Sequence, residues 1–379
     1  MTAGPVPVPA EVAYAGSLVI NHVGDTMAMV VRHIREMSRY VFQTTDERIY
    51  GVSGPASAAM EMAIGNLLWP GRRVLVLRNG LFSGRFAEMA EGVGAQVTVL
   101  DDPDGRPVSE PLVAEALKEA SYDVVTMVQG ETSTGVYTRD LKEIVALVGD
   151  HGALSVVDAV CTLSTVPLKK DEWGIDVVVT GSQKGLSSIP GVSLIAFSER
   201  AWEVAARRTA PNPHWCLDVM RAEKFWGQDS YHYTAPVPAL LALHEALRLI
   251  IEETLEQRFK RHLHSSLSLQ KGVEAMGLEL YAPPEYRLNS VLSIEVPDGV
   301  DDARARKYMT DRFKVLIADA FGINAVRIGQ MGEQCRAPNL FRTLHALGVA
   351  FARQDLDLDQ SAGMAAMEKH LADHAEDVL

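Results

Sequence analysis

Short apolar runs alternate with stretches of helical periodicity in the first part of the chain. The runs are rich in β-branched residues, and most are apolar on both faces: Arg73–Leu77, Gln96–Leu100, Asp123–Val128, Leu154–Val157, Asp176–Thr180 and Val192–Phe197. Central strands of a mostly parallel sheet have this composition. Helical spacing of apolar residues falls between several runs, at 57–68, 83–93, 109–120 and 139–150. We therefore predict an α/β fold, with helices on both faces of a large sheet.

The pattern changes after about residue 238. One long helical stretch over 238–276 is followed by apolar runs and helical patterns that predict a smaller α+β domain, with strands near 289–296, 314–318 and 324–328 and helices near 301–313 and 337–353. At the other end, three prolines at alternate positions in GPVPVP, residues 4–9, favour extended backbone. The predicted division is an extended segment at 1–16, a large domain at 17–250 and a small domain at 251–379.

Composition excludes some classes of partner. The chain has 379 residues and a formal net charge of −13, from 49 acidic and 36 basic side chains. Nucleic-acid binders and anionic-membrane binders need a basic face, so neither partner is expected. No apolar run approaches the 18 residues of a transmembrane helix, and the N-terminus lacks a signal-peptide pattern. A local positive pocket for a small anion remains compatible with this charge.

Cysteines and histidines form no evident ligand pattern. Cys161, Cys216 and Cys335 are few and widely spaced, which indicates neither a disulfide framework nor a zinc site and favours the reducing cytoplasm. His262 and His264 are two residues apart, a spacing that does not place them on one helix face. A solvated surface is the favoured interpretation of this pair, and we expect no metal site.

An acid and a lysine follow two neighbouring predicted strands. Asp158 ends the run Leu154–Val157, and Lys184 follows Asp176–Thr180 after the short turn Gly181-Ser182-Gln183. Ligands of open α/β sheets bind at the carboxyl ends of the strands, so both side chains are expected at a ligand site. A structural ion pair is one interpretation. The other is pyridoxal 5′-phosphate (PLP) chemistry, in which a lysine carries the cofactor and an aspartate keeps its pyridine nitrogen protonated.

The phosphate-binding patterns in the sequence disfavour some classes of nucleotide-binding enzyme. Neither a P-loop nor a complete G-x-G-x-x-G after a strand is present, which disfavours P-loop ATPases and Rossmann dehydrogenases. The segment Ser53-Gly54-Pro55-Ala56-Ser57 instead leads into a predicted helix. The free N–H groups and positive dipole end of a helix start can bind a phosphate. Ser57 has an alternative interpretation as a simple N-cap.

Eight segments carry a resemblance to a known family: TAGPVPVP at 2–9, VSGPASAAME at 52–61, RNGLFSGRF at 78–86, QGETSTGV at 129–136, VVDAV at 156–160, TGSQKGLSSIPG at 180–191, YHYTAPV at 231–237 and VRIGQMG at 326–332. Over nearly its whole length the sequence resembles the class V aminotransferases of PLP fold type I, above all the alanine–glyoxylate and serine–glyoxylate aminotransferases. The resemblance implies a large domain with a mostly parallel sheet of the seven-stranded type and a smaller C-terminal α+β domain.

The resemblance implies roles around the cofactor ring. Lys184 matches the Schiff-base lysine, and Asp158 matches the partner of the pyridine nitrogen. Val160 matches an apolar residue on one ring face, and Phe82 falls where the family places an aromatic side chain on the other. Thr132 matches a hydroxyl residue that contacts the 3′-oxygen of the ring.

The resemblance also implies a phosphate cup and a homodimer. The cup residues match Pro55, Ala56, Ser57 and Gln183, in an altered form of the family's usual S-G-x-G-H motif. Pro55 has no N–H to donate. Tyr231 and Thr234 match the pair that reaches the phosphate from the neighbouring subunit, so the expected assembly is a homodimer with shared active sites.

Two residues are predicted to contact the substrate. Arg327 matches the arginine that binds the substrate carboxylate, and its planar fork suits that group. A salt-bridged strand end is the alternative interpretation of Arg327. Gly4 is the second predicted contact, in the N-terminal segment.

The predicted activity is ping-pong transamination from alanine or serine to glyoxylate or pyruvate, with PLP as cofactor. Three alternatives stay open: a PLP lyase or cysteine desulfurase of the same fold, a scaffold that has lost activity, and an aminotransferase acting on ureidoglycine or on pyridoxamine with pyruvate. Desulfurases typically have histidine before the lysine, where this chain has Gln183, although Cys335 follows Arg327. Retention of Asp158, Lys184 and Arg327 argues against a scaffold.

Overall fold

The computed structural model describes residues 1–102 and 105–378. Its strands are β1 (Ile49–Ser53), β2 (Arg73–Arg78), β3 (Gln96–Asp101), β4 (Val124–Val128), β5 (Gly130–Glu131), β6 (Val136–Tyr137), β7 (Leu154–Asp158), β8 (Val177–Gly181), β9 (Val192–Phe197), β10 (Val291–Glu295), β11 (Ala318–Asp319) and β12 (Ala325–Gly329). Its α-helices are α1 (Ala10–Ala15), α2 (Asp25–Phe42), α3 (Ala56–Leu67), α4 (Leu81–Gly92), α5 (Glu110–Glu119), α6 (Leu141–Asp150), α7 (Glu199–Ala206), α8 (Val219–Trp226), α9 (Val237–Glu253), α10 (Leu255–Ala275), α11 (Asp302–Tyr308), α12 (Ala337–Ala352), α13 (Gln360–Asp373) and α14 (Ala375–Val378).

Seven strands of the described residues form one sheet, in the order β1-β9-β8-β7-β4-β2-β3. Strands β8, β7, β4, β2 and β3 are parallel to one another, whereas β9 runs antiparallel to both β8 and β1. Strands β4, β7, β8 and β9 are buried throughout, as their β-branched runs predict. This confirms the predicted α/β fold with a large, mostly parallel sheet.

Strand β1 was not among the predicted strands. Gly51 lies in its middle and interrupts the apolar run that marks a strand. The glycine is needed for packing, because a Cβ atom there would fall 1.9 Å from Cζ2 of Trp226. A helix in the next layer therefore sits directly on the backbone of this edge strand.

The two largest buried apolar clusters of the described residues lie in different parts of the chain. The first surrounds the large sheet and contains side chains from Met27 to Leu255. The second runs from Leu269 to Val378 and covers the antiparallel sheet β10-β12-β11. The predicted limit at residue 250 falls inside α9, and the domain limits stay a prediction.

Two local predictions are wrong. The helix predicted over 238–276 is two helices, α9 and α10, that meet at Thr254. Thr254 has a positive φ of 67° and its side chain accepts a hydrogen bond from the backbone N–H of Gln257, so it caps α10 and breaks the helix. In the N-terminal segment predicted as extended, residues 10–15 form α1.

Several helices were not predicted from the sequence, among them α7, α8, α13 and α14. In the part of the chain that the structure describes, no helix has both the length and the apolar character required to cross a membrane.

Candidate active site

Asp158 and Lys184 lie at the same end of the large sheet. Strands β7 and β8 are parallel neighbours, with Asp158 paired to Val179, so the turn that carries Lys184 follows beside the end of β7. Asp158 is 5% exposed, and its Oδ1 accepts a hydrogen bond of 2.8 Å from the backbone N–H of Val160. The topology thus brings the predicted acid, lysine and ring-packing residue together.

Burial shifts the pKa values of both Asp158 and Lys184 in the direction that favours the uncharged form. It raises the pKa of Asp158 to about 7, against the opposing hydrogen bond from Val160. It also lowers the pKa of Lys184. The two side chains form no ion pair among the described contacts; the Lys184 amine instead donates to the carbonyl of Ala3. The structural ion pair is therefore not the arrangement found here.

The N-terminal segment lies against the lysine. Gly4 has a φ of +94°, and a Cβ atom there would fall 2.4 Å from Cδ of Lys184. The backbone N–H of Val6 donates to the carbonyl of Gln183 at 3.1 Å. On the other side, the Thr2 carbonyl accepts from Nε2 of Gln334 at 2.9 Å. The segment therefore bridges the two halves of the chain beside Lys184, where a side chain at Gly4 has no room.

The residues predicted to form the phosphate cup lie at the start of α3. Pro55 precedes the helix, Ala56 is its first residue, and no side chain caps it, so the N-cap interpretation of Ser57 is wrong. The first N–H groups of a helix have no partner within it. Ser57 Oγ accepts a hydrogen bond of 3.2 Å from Nη1 of Arg85. Sequence reasoning did not predict Arg85 as a cup residue.

Gln183 also faces this helix start. A Cβ atom at Gly181 would fall 2.9 Å from Oε1 of Gln183 and 3.0 Å from Cβ of Ala56, so the amide lies beside the first residue of α3. Its Oε1 is buried with no hydrogen-bond partner among the described residues. An amide rotated by half a turn presents Nε2, a donor, to the same space.

Two arginines and two aromatic rings form a continuous wall. The guanidinium of Arg85 lies 4.7 Å from the centroid of Phe82, and that of Arg327 lies 4.8 Å from the centroid of Phe321. The two phenylalanines meet edge to face at 6.3 Å. Phe321, from the loop after β11, is 45% exposed and was not predicted.

Arg327 is held by neutral groups. It lies in β12, is 4% exposed, and donates from Nε to the Asp319 carbonyl at 2.7 Å and from Nη1 to the Thr132 carbonyl. No carboxylate in residues 1–102 or 105–378 forms an ion pair with it within 4 Å. The salt-bridged strand end is therefore not what the structure contains, and Nη2 stays available to an anion.

Glu131 orients this wall. It is fully buried at the start of α4, and its carboxylate accepts from the backbone N–H of Ser83 at 2.8 Å, from that of Ser133 at 3.0 Å and from that of Phe82 at 3.3 Å. A carboxylate at a helix start satisfies free N–H groups and the helix dipole. Sequence reasoning missed this role, because Glu131 comes 50 positions after the helix it caps.

Comparison with known proteins decides the family. The family model described as "Aminotransferase class-V" matches residues 13–322. The chain belongs to the class V aminotransferases. It is 34% identical over 354 residues to the alanine–glyoxylate aminotransferase of Mus musculus, covering 91% of this chain and 85% of that one.

Two solved structures of this family are closely similar. The ureidoglycine–glyoxylate aminotransferase of Bacillus subtilis superposes with a TM-score of 0.94 at 32% identity, covering 98% of this chain and 97% of that one. The pyridoxamine–pyruvate aminotransferase of Mesorhizobium loti gives a TM-score of 0.94 at 25% identity, covering 98% and 96%. This aminotransferase therefore has the PLP fold type I, a fold that implies dependence on PLP.

The predicted intersubunit residues of this aminotransferase lie on its surface. Tyr231 is 56% exposed and contacts only the edge of His22 among the ring pairs of the described residues, at 5.9 Å. Thr234 is also exposed. Within the chain it is Tyr233, not Tyr231, that reaches the cup strand, where its hydroxyl accepts from the N–H of Ser53 at 3.3 Å.

Cys335, three residues after the VRIGQMG segment, is not accessible to a substrate. Cys335 is fully buried, and its Sγ lies 2.7 Å from Nη1 of Arg261. Burial raises the pKa of the Cys335 thiol. A desulfurase nucleophile must reach the substrate as a thiolate, so this environment argues against that alternative.

The interpretation of His262 as a solvated residue is wrong. His262 is fully buried; its Nε2 accepts from the N–H of Gly332 at 3.0 Å, and its Nδ1 contacts the Arg258 carbonyl at 2.7 Å. His264 points elsewhere and meets two histidines of α13 and its end, His370 and His374. The spacing of His262 and His264 gives no indication of this three-histidine cluster.

Proposed function

We propose that this aminotransferase carries PLP on Lys184 and transfers the amino group of alanine or serine to glyoxylate or pyruvate by a ping-pong mechanism. The observation that carries the proposal is Arg327, a buried arginine near Lys184 and Asp158 that has no carboxylate partner among the described residues. Amino acid and 2-oxo acid both present an α-carboxylate to such a fork. One site can therefore serve both half-reactions in turn.

The residues at the sheet end fit PLP. When bound, the cofactor supplies an electron sink for the substrate α-carbon. Asp158, buried and held by Val160, is placed to keep a proton on the pyridine nitrogen. A positive partner there would stabilise the carboxylate that burial otherwise destabilises. Phe82 and Val160 are the side chains proposed to enclose the ring, and Thr132 is the proposed contact of its 3′-oxygen.

Lys184 is suited to move a proton once the substrate has displaced it. Burial lowers the pKa of its amine, which raises the fraction in the neutral form at neutral pH. A base with a pKa closer to the working pH transfers protons more effectively. We propose that its Nζ takes the proton from the substrate α-carbon and then gives it to the C4′ carbon of the cofactor, so that the amine is neutral again at the end of the half-reaction.

The cup favours a phosphorylated cofactor over free pyridoxamine. Arg85 has no carboxylate partner among the described residues, although it sits at the start of α3 beside Ser57. A guanidinium, free helix N–H groups and the Gln183 amide together suit a phosphate. In this altered cup, the Arg85 guanidinium thus takes the place of the N–H donor that Pro55 lacks.

The substrate side chain is proposed to be small and uncharged. A dicarboxylic substrate needs a second cation, and Arg85 and Arg336 are the arginines that lie near the site motifs in the sequence. Arg85 faces the cup, and Arg336 pairs with Glu333 at 3.4 Å. Phe82 and Phe321, which meet edge to face beside Arg85 and Arg327, are proposed to present apolar surface to the substrate side chain.

We also propose a homodimer in which Tyr231 and Thr234 complete the neighbouring cup. Their exposure in the single chain supports this, as do other exposed apolar side chains nearby, such as Trp215 at 52%. Mixing Lys184→Ala chains with Tyr231→Phe/Thr234→Ala chains should restore activity, because each mixed dimer regains one complete site. Failure to recover activity in chains shown to exchange would refute shared sites.

The substrate proposal is tested by steady-state kcat/KM over a panel of donors and acceptors. Alanine, serine, ureidoglycine, pyridoxamine and aspartate should be paired with glyoxylate, pyruvate and 2-oxoglutarate. Alanine or serine with glyoxylate or pyruvate should give the highest values. A preference of about tenfold or more, roughly 1.4 kcal/mol, for aspartate with 2-oxoglutarate would refute the small-substrate claim and leave the PLP claim standing.

A further inference from the structure

Three histidines converge in the C-terminal part of the chain, away from every residue of the candidate active site. His264 lies on α10, His370 on α13 and His374 directly after α13. One ring nitrogen from each lies within 4.8 Å of one from the others. His264 Nδ1 and His370 Nε2 are 3.4 Å apart. With Zn–N bonds of about 2.0–2.1 Å, tetrahedral geometry separates two ligand nitrogens by roughly 3.3–3.4 Å.

The outer nitrogens of two rings already have the partners that metal-binding histidines use. His374 Nδ1 contacts the His370 carbonyl at 3.0 Å, so it can carry the proton and leave Nε2 as a lone-pair donor. His264 Nε2 faces Oδ2 of Asp377 at 3.6 Å, which leaves Nδ1 to point at the other rings. Backbone carbonyls and carboxylates in these places fix the tautomer of a ligating imidazole.

His370 has a different outer partner. Its Nδ1 lies 3.0 Å from Nζ of Lys271, an ammonium that can donate but cannot accept. Ligation through Nε2 requires a proton on Nδ1. A metal at Nε2 must therefore displace Lys271, which makes Lys271 a competitor of the cation.

We propose that His264, His370 and His374 form a Zn²⁺ site, with a fourth position open to water. Neutral imidazoles are preferred ligands of Zn²⁺, and three of them with one open position is a geometry that proteins use. The rings of His264 and His374 stack at 4.0 Å between centroids and those of His370 and His374 at 4.3 Å, so ligation turns them about their broad χ2 minima.

The bound ion joins elements that are far apart in the chain. It would link α10 to the end of α13 and, through the Asp377 carboxylate, to α14. A ligand that binds only the folded chain stabilises it by mass action. The predicted consequence is a Zn²⁺-dependent rise in melting temperature that does not require activity.

The test is calorimetric titration of ZnCl₂ into the full-length, PLP-loaded, chelator-treated enzyme. Wild type should bind one Zn²⁺ per chain with a Kd of about 1 µM or lower, and the substitutions His264→Gln, His370→Gln and His374→Gln should each weaken binding at least tenfold. His345→Gln is the matched control, since His345 is an exposed histidine of α12 outside the cluster. Lys271→Gln should bind more tightly than wild type, because its amide oxygen can accept the Nδ1 proton.

Stoichiometric binding that survives His374→Gln, or no difference between wild type and a triple glutamine variant, would overturn the proposal. His374 is only partly buried, so its variant should keep the wild-type circular dichroism spectrum. Zinc-edge X-ray absorption gives a second readout. Three imidazole nitrogens at about 2.0 Å support the site, and a shell of oxygen ligands alone contradicts it.

Discussion

Glu253, which is half-buried, and Asp158, which is buried, are carboxylates with opposite surroundings. Burial alone would raise the pKa of Glu253, but the hydrogen bond from Arg261 and the charges of Arg258 and Arg261 outweigh it and lower the pKa to about 2. Asp158 has no comparable cation, and burial raises its pKa to about 7. The charge of one acid is compensated within the chain, whereas burial holds the other toward its neutral form.

The arginines show the same contrast. Arg258 reaches Glu253 at 2.8 Å and also donates to the Gly185 carbonyl at 2.9 Å, so the compensated cluster supports the turn after Lys184. Arg327 and Arg85 lie on aromatic rings without a carboxylate in the described part of the chain. We infer that the uncompensated charges belong to the proposed ligand site, whereas the compensated cluster of Glu253, Arg258 and Arg261 supports it.

The largest effect is expected where a compensated pair is broken. Arg261→Met removes two contacts to Glu253 and leaves that carboxylate less well paired. Breaking a fully buried ion pair costs about 3–5 kcal/mol, and we expect a loss at the lower end of that range because Arg258 stays beside Glu253. The urea midpoint should fall accordingly, while KM values stay within about twofold. Arg207→Met, in an exposed helical pair with Glu203, is the control and should cost below about 1 kcal/mol. Equal losses of unfolding free energy in Arg261→Met and Arg207→Met would contradict the greater stabilisation assigned to the Glu253 pair.

The pH dependence of stability should differ in sign between the two acids. In the PLP-free chain, folded Asp158 keeps its proton up to about pH 7 while the unfolded carboxyl loses it near 3.8. Stability from this group is therefore lost as pH rises, by at most a few kcal/mol. The unfolding free energy of Asp158→Asn should rise relative to that of wild type between pH 5 and 7. Above pH 7 the difference between the two should stay constant.

Glu253→Gln provides the opposite case. The lowered pKa of Glu253 contributes stability above pH 4.5, so the deficit of this variant should stay constant from pH 5 to 8 and shrink as pH falls toward 2. Parallel curves for the Asp158→Asn and Glu253→Gln variants would contradict the assigned surroundings.

Arg327→Lys tests the uncompensated cation at the substrate. A lysine ammonium cannot keep the contacts of Arg327 to the Asp319 and Thr132 carbonyls and also donate to the substrate as Nη2 can, so KM should rise about thirtyfold for every amino donor, roughly 2 kcal/mol. Arg353→Lys is the control, because Arg353 also lies on a ring, that of Tyr308 at 5.0 Å. An unchanged KM in Arg327→Lys would place the substrate carboxylate elsewhere.

Arg85→Gln should have the smallest effect, and it should weaken the binding of the phosphorylated cofactor only. The Kd of PLP should rise about tenfold, roughly 1.4 kcal/mol, whereas the Kd of pyridoxal, which lacks the phosphate, should not change. Arg78→Gln, which breaks the pair with Asp101, should affect neither. Equal weakening of PLP and pyridoxal binding would assign Arg85 to the ring or the substrate.

The sequence predicted the central sheet and its site better than their surroundings. Runs such as DVVVT show burial on both faces directly, and the strand ends then placed Asp158 and Lys184 together. Strand β1 was missed because Gly51 is needed for contact with Trp226, and the break at Thr254 depends on a single positive φ.

Arg85, Phe321 and Glu131 were not predicted because their roles arise from long-range contacts. Glu131 caps a helix that begins 50 residues earlier, and Phe321 reaches Phe82 from the other part of the chain. The His264–His370–His374 cluster has the same origin, since α13 was not predicted at all. Pattern and spacing describe neighbours along one element, and these groups meet only after the elements pack.

The most direct test of the account is chemical labelling of Lys184. The purified protein, incubated with PLP and reduced with borohydride, should carry one pyridoxyl group, and peptide mapping should locate it on Lys184. The same treatment of Lys184→Ala should give no stoichiometric label. A label on another lysine, or a wild-type protein that ignores PLP, would contradict the assignment of the active site.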